Sequence, residues 1–315
     1  MPPPIRPATI PVKPAAPAPR MTLESIRHGK RPAPDRILLH GTEGVGKTTF
    51  GAEAPNPIFI CTEDGARKFD VASFPEPESF KDVIDAIQFL ATSSHDFKTL
   101  VIDSIDWVAL LINDAVCARE HWSQEDFEKY GRGCKVWMNE WRQMLSACDN
   151  LRLKKGMEII LISHTKVGSF KNPSGDDFMR YVLAVAGSEA PALVTAWADT
   201  VLFAAHEEFT SGDPKKGKVK GVSSGKRLLH TERTAAWDAK NRDGLPPVIP
   251  LSYAEFDSAR KGAGSPTAAD LYEECVKLAA GREDEEEKTK IIEYLDTITT
   301  NKHALTQALN TLRSE

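Results

Sequence analysis

Short apolar runs alternate with amphipathic stretches over most of this chain. Ile37-Leu38-Leu39-His40 is apolar up to its last residue and leads into Gly41, which predicts a buried strand. Residues 48–53 read as a short helix that Pro55 ends. A second strand is predicted at 57–61. A helix follows at 79–92, where Phe80, Val83, Ile84, Ile87 and Leu90 recur at helical spacing. Thr99-Leu100-Val101-Ile102 reads as a third strand, closed by Asp103. Residues 105–119 and 135–149 read as helices, 158–163 as a fourth strand, 189–198 as a short helix and 200–205 as a fifth strand. A lysine-rich turn follows, and 228–237 reads as a returning strand. Strands alternating with helices predict an α/β fold with a mostly parallel central sheet covered on both faces.

The two ends break this pattern. Residues 1–20 include Pro2, Pro3, Pro4, Pro7, Pro11, Pro14, Pro17 and Pro19. Proline fixes φ and lacks a backbone donor, so a disordered proline-rich tail is expected there. The core is expected to span 21–262. After Gly262-Ala263-Gly264-Ser265-Pro266, residues 267–281 and 284–312 read as two amphipathic helices, and 263–315 as an acidic helical extension. The chain shows no internal repeat.

Composition adds little to the fold and more to the setting. The 315 residues are 41% hydrophobic and 27% charged, ordinary for a globular protein. No apolar run approaches the roughly 20 residues of a membrane span, and the proline-rich start lacks the apolar stretch of a secretory signal. Five cysteines without a C-x-x-C pair suit free thiols in a reducing, cytoplasmic setting. The net charge of −5 hides an asymmetry. Residues 1–36 carry seven Lys/Arg against two acids, whereas 265–315 carry six against eleven. A basic head and acidic tail suit either nucleic-acid and partner contacts or merely solvated ends.

The candidate chemistry starts where the first strand stops. Gly41-Thr42-Glu43-Gly44-Val45-Gly46-Lys47-Thr48 fits G-x-x-x-x-G-K-[ST], with a strand before it and a helix after it. Glycines let successive N–H groups wrap an anion. Lys47 is placed to reach the β- and γ-phosphates, and the Thr48 hydroxyl to ligate Mg²⁺. ATP with Mg²⁺ is the expected ligand, held by Gly41 to Thr48 with Thr49 beside it.

Asp103 ends an apolar strand at the carboxyl edge, where a Mg²⁺-shell aspartate belongs. Ser104 follows it rather than Glu. ATPases with an Asp-Glu pair here use that Glu to orient the attacking water, so a water-polarising carboxylate must come from elsewhere. Glu63, just past the strand at 57–61, is the first candidate and Asp64 the second; both also suit a plain polar turn before Gly65. His164 ends the strand at 158–163 and could sense the γ-phosphate or the water, though a strand-end histidine is often only a surface residue.

In this order the pieces resemble the RecA-like ATPase family. The phosphate loop is followed by a strand plus Glu (Phe59 to Glu63), a strand plus Asp-Ser (Leu100 to Ser104) and a strand plus polar sensor (Leu161 to His164). RecA proteins usually carry Gln at the sensor position, so His164 departs from the pattern. Ala239-Lys240-Asn241-Arg242 is similar to the segment with which RecA-like subunits reach a neighbour's nucleotide. The resemblance implies that Lys240 and Arg242 contact the γ-phosphate across a subunit interface. The closer similarity is to phage-encoded, core-only RecA-like proteins of the Sak type, single-strand annealing ATPases. It is carried by G-T-E-G-V-G-K-T-T-F, T-E-D-G and W-x-A-K-N-R-x-G-L-P, and covers roughly 22–255.

That likeness implies slow, DNA-dependent ATP hydrolysis, homo-oligomers in rings or filaments, and annealing or pairing of single-stranded DNA in phage recombination. It also implies a bacterial host cytoplasm and a single-strand-binding protein as a plausible partner. DNA would meet two loops. The first holds Lys129, Tyr130 and Arg132; the second follows His164 and holds Lys166, Phe170, Lys171 and Arg180. Aromatic faces stack on bases while cations neutralise phosphates. The alternatives are an AAA+-type helicase loader or motor, against which Ser104 weighs, a nucleotide-gated switch that hydrolyses little, and a small-molecule kinase.

Overall fold

The computed structural model describes residues 21–26, 28, 33–63, 65, 67–123, 125, 132–173, 175–187, 189–213, 218–262, 268–282, 285–299 and 301–314. The chain divides into two units, Met1–Ala33 and Pro34–Glu315. In the first, Leu23–Ser25 forms a single 3-10 turn, closed by the Ser25 hydroxyl donating to the Thr22 carbonyl. The proline-rich tail expected at 1–20 lies outside the described residues.

The second unit is built on a nine-stranded sheet among the described residues. Its strands are β1 (Arg36–Gly41), β2 (Pro57–Cys61), β3 (Ala72–Ser73), β4 (Thr99–Asp103), β5 (Glu158–Phe170), β6 (Phe178–Leu183), β7 (Thr200–Asp213), β8 (Lys218–His230) and β9 (Val248–Pro250). The spatial order is β3-β2-β4-β5-β1-β7-β8-β9, with β6 paired to β5. From β3 to β7 every pairing is parallel; β8, β9 and β6 join antiparallel. The expected α/β core with a mostly parallel sheet is therefore the fold observed. β1 and β4 are buried along almost their whole length because helices cover both faces, which is why their centres, Ile37–Leu39 and Leu100–Ile102, read as hydrophobic runs.

One face carries α2 (Phe80–Thr92), α3 (Ile105–Glu120), α4 (Arg132–Lys155) and α5 (Glu189–Trp197). Its core includes Leu38, Val83, Ile87, Ile112, Trp141 and Leu161. The other face carries α1 (Lys47–Ala52) and α6 (Tyr253–Gly262), over Ile37, Leu39, Phe50, Val101, Ile162 and Phe256. Each such fully buried Leu, Ile or Phe contributes about 1.5–3 kcal/mol over its exposed state. Ser79 starts α2 with a reciprocal cap: its N–H donates to the Asp82 carboxylate at 2.9 Å, and Asp82 N–H donates to its hydroxyl at 3.3 Å. α6 is clasped to the start of β5, where buried Glu158 accepts from Tyr253 Oη at 2.7 Å and from Arg260 Nη1 at 2.5 Å.

Several sequence expectations change. β5 runs seven residues past 163, because the segment after His164 turns back at Asn172 and pairs with β6 from Phe170↔Phe178 to Thr165↔Leu183. The segment read as a second open loop is thus a β-hairpin. The returning strand lies at Lys218–His230 rather than 228–237, pairing antiparallel along β7. Past His230 the chain makes turns, touches the sheet through a bridge between Lys240 and Val201, and rejoins it as β9 beside β8.

The C-terminal extension holds α7 (Ala268–Ala280), α8 (Glu285–Thr297) and α9 (Lys302–Ser314) around Leu271, Cys275, Leu295, Leu305 and Leu309. It has three helices instead of the two expected. Asn301 makes the extra break, its side chain accepting from Ala304 N–H at 3.1 Å as an N-cap.

Candidate nucleotide-binding site

The register of the parallel strands fixes where the chemistry collects. Cys61 lies beside Asp103 and Asp103 beside Ile162, while Gly41 lies beside His164. All four strand ends therefore fall on one edge, the carboxyl edge, where open α/β sheets bind ligands. The loop from Gly41 to Gly46 leaves β1 at this edge and enters α1.

Two glycines permit the loop. Gly46 has φ 110° and Gly44 φ 68°, left-handed values that side chains adopt at a cost. Gly41 is needed for space, since a Cβ there would stand 2.1 Å from the Ala204 carbonyl oxygen on β7. Lys47 is 6% exposed. Its ammonium donates to the Gly41 and Thr42 carbonyls at 3.1 and 2.9 Å. Burial pulls its pKa down, and the nearby Asp103, Asp106, Glu63 and Glu43 carboxylates oppose that.

The Thr48 hydroxyl donates to Asp103 Oδ2 at 2.7 Å. Asp103 is 4% exposed; burial raises its pKa, and the Thr48 hydrogen bond lowers it. A hydroxyl and a carboxylate held together beside a phosphate loop are the hard oxygen donors that Mg²⁺ takes, the phosphates supplying others. These residues fit the ion. Asp103 joins Ser104 through a cis peptide bond. Thr62 clips the two strand ends together, its hydroxyl accepting from Ser104 N–H at 2.9 Å and donating to the Ser104 carbonyl at 3.0 Å.

Glu63 and His164 meet at the same edge, with Glu63 Oε1 3.8 Å from His164 Nδ1. The partner that sequence reading missed is Asp106, in the first turn of α3. Its Oδ2 is 2.9 Å from His164 Nδ1, and its Oδ1 accepts the His164 backbone N–H at 2.9 Å. The Asp106 hydrogen bond raises the His164 pKa, against the effect of burial. Burial pushes Asp106 up, but the His164 bonds outweigh it and hold the carboxyl low. A signal existed in the sequence: Asp106 lies three residues after Asp103, where the next helix begins at the same edge. Asp64 lies outside the described residues.

The family model for the AAA domain matches residues 33–243. The chain belongs to the AAA domain family. The matched stretch takes in the phosphate loop, Glu63, Asp103, Ser104, His164 and Lys240. Comparison with curated proteins finds no match. Among solved structures, the RadB recombinase is 14% identical, covering 71% of this chain and 90% of that chain with a TM-score of 0.41. That likeness is too remote to carry an argument about activity.

Lys240 and Arg242 are not brought to the loop of their own AAA domain. Lys240 Nζ donates to the Thr195 and Ala196 carbonyls at 3.3 and 3.1 Å and to Ala198 at 2.5 Å, capping the end of α5. Arg242 lies 3.5 Å from Asp199, which also binds Arg36 at the start of β1. Both therefore sit at the amino edge of the strands, opposite the phosphate loop.

The residues expected to meet DNA fall into three groups. Lys129 and Tyr130 lie outside the described residues, as does the Arg132 side chain. Lys166, Phe170 and Arg180 line a cavity of about 760 Å³ on the α5 face of the sheet, together with His40. Arg180 is 5% exposed, 2.7 Å from Asp238 and stacked over the Phe170 ring. Lys171 is exposed and pairs with Asp177 at 2.5 Å. Lys215 and Lys216 of the lysine-rich turn lie outside the described residues. No described helix is long and apolar enough to cross a membrane.

Proposed function

We propose that this AAA domain binds ATP with Mg²⁺ at Gly41 to Thr49, hydrolyses it slowly, and acts on single-stranded DNA as a homo-oligomer that anneals or pairs strands in phage recombination. The observation that carries the nucleotide part is the convergence at one sheet edge of buried Lys47, the Thr48–Asp103 pair and the Glu63–His164–Asp106 trio.

Lys47 is set to neutralise β- and γ-phosphate oxygens. Thr48 and Asp103 would hold Mg²⁺, which supplies charge neutralisation on the phosphates when bound. Glu63 would orient the attacking water by accepting its hydrogen bond. His164, steadied by Asp106, would stand beside Glu63 and respond to the γ-phosphate. Lys240 and Arg242, remote from their own loop, would serve a neighbour's nucleotide across an oligomer interface.

The DNA part is supported by the sequence resemblance and by the exposed Lys166 and Lys171 of the β5–β6 hairpin. A single-strand-binding protein would be a partner at the same DNA, in a host cytoplasm. The test is hydrolysis with and without single-stranded and duplex DNA at low and moderate salt. Stimulation by single strands above duplex is the expected result. Hydrolysis indifferent to DNA favours the second reading, a helicase loader or motor acting on a protein partner, which membership of the AAA domain family keeps in view.

A further inference from the structure

The site described so far is furnished from one side of β1. Asp103, Glu63, His164 and Asp106 all come from β2, β4, β5 and the start of α3. On the other side of β1 lie β7 and β8. Gly41 is registered with Ala204, Ala204 with Leu229, and His206 with Arg227. Arg227 thus stands two residues beyond the level of Gly41, past the carboxyl edge. Side chains alternate along a strand, so Arg227 points to the same face as Leu229, which is buried in the core beneath α1. That is the face of the phosphate loop.

The contacts agree. Arg227 Nη1 lies 3.5 Å from the Val45 carbonyl oxygen. The same nitrogen lies 2.7 Å from the point where a Cβ on Gly46 would stand, and Leu251 Cδ2 covers the remaining side at 3.5 Å. The guanidinium therefore rests on the glycine that precedes Lys47. One long contact to a carbonyl leaves most of its five N–H donors unspent. Among the described residues no carboxylate is paired with it, whereas Arg36, Arg180 and Arg260 are each matched to acids. Lys226, facing the opposite way, lies 4.0 Å from Glu207. Arg227 is thus a second cation at the phosphate loop, resting on the residue before Lys47, and a cation without an acid of its own is stabilised by a bound anion.

We propose that Arg227 is a phosphate-binding residue acting in cis. Its guanidinium grips the phosphate chain of the bound nucleotide from the β8 side, opposite the Thr48–Asp103 pair. The inference rests on reading Gly41 to Thr49 as the nucleotide site. It gives that site a cation from its own chain, distinct from Lys240 and Arg242 at the far edge. Arginine suits the role because its planar fork matches two phosphate oxygens at once.

The test measures Kd for ATP, ADP and adenosine, with Mg²⁺ and without turnover, in the wild type, Arg227→Gln, Arg227→Lys and Lys47→Ala. Glutamine keeps a polar N–H but removes the charge. Arg227→Gln is expected to weaken ATP and ADP about tenfold or more, leave adenosine unchanged and keep the wild-type melting temperature, with Arg227→Lys falling between. The inference is overturned if Arg227→Gln binds ATP and ADP within about twofold of the wild type while Lys47→Ala loses them. It is overturned equally if any loss follows a fall in melting temperature, which assigns Arg227 to holding the loop. A wild type that binds neither nucleotide defeats the reading of the site itself, and Arg227 with it.

Discussion

Asp106 accepts two hydrogen bonds from His164, one from the backbone N–H and one from Nδ1, each at 2.9 Å. This fixes the ring and its tautomer: Nδ1 carries the proton, and Nε2 is left for whatever occupies the sheet edge.

The pair has a definite pH signature. His164 has a pKa raised above its ordinary 6.5, chiefly by the Asp106 hydrogen bond. Its contribution to stability is fully present below about 6.5 and is lost as pH rises through the raised value. Asp106→Asn is expected to lower the His164 pKa and to weaken stability most below that window. A titration of the His164 ring protons by NMR checks it; an unchanged midpoint in the variant contradicts the pairing.

His40 carries the opposite sign. It is 1% exposed, its Nε2 is 2.8 Å from the Asp238 carbonyl oxygen, and burial pushes its pKa down to about 4. Between pH 6.5 and 4 the unfolded chain takes up a proton that the folded chain refuses. Stability from this group falls across that window by about 3 kcal/mol. Denaturant unfolding at pH 7 and pH 4.5, compared with a His40→Asn variant, should show a smaller acid loss in the variant.

The glycines of the loop should not be equivalent. Alanine at Gly41 would press its Cβ into the Ala204 carbonyl at 2.1 Å, a backbone atom with no room to yield. A loss of about 3 kcal/mol or more is expected. Gly44 faces open space at φ 68°, so alanine there should cost only about 1–2 kcal/mol. Equal losses in thermal unfolding would contradict the packing of β1 against β7.

Glu63→Gln should reduce kcat for ATP by about a hundredfold or more while leaving ATP affinity near that of the wild type. The amide keeps the size of the side chain but accepts a proton poorly. Single-turnover hydrolysis with a parallel binding assay separates the two effects. An unchanged kcat would move the water-orienting role away from Glu63.

Apart from the short, exposed β3, the parallel strands were legible in the sequence because burial on both faces makes them apolar runs, and β2 falls within the bounds expected. That the candidate residues Lys47, Thr48, Glu63, Asp103 and His164 gather at one edge was legible for the same reason, since each sits at a strand end or in its loop. Asp106 and Arg227 were not. Asp106 stands in the first turn of a helix, close after Asp103, but it takes the register of β4 against β5 to show that it meets His164. Arg227 belongs to a basic run that suits either a DNA contact or a merely soluble hairpin. Only the antiparallel pairing of β8 with β7 shows that it stands at the level of the sheet edge, far from the turn. The hairpin of β5 and β6 was missed because its strands mix charged, apolar and glycine positions, and pairing rather than burial holds them.

The most direct measurement of the central claim is binding of ATP with Mg²⁺ by isothermal titration to the wild type and to Lys47→Ala. The account predicts one nucleotide per chain in the wild type and a loss of about a hundredfold or more in the variant, near 3 kcal/mol, with the melting temperature retained. Wild-type affinity in Lys47→Ala, or no binding to the wild type at all, would contradict it.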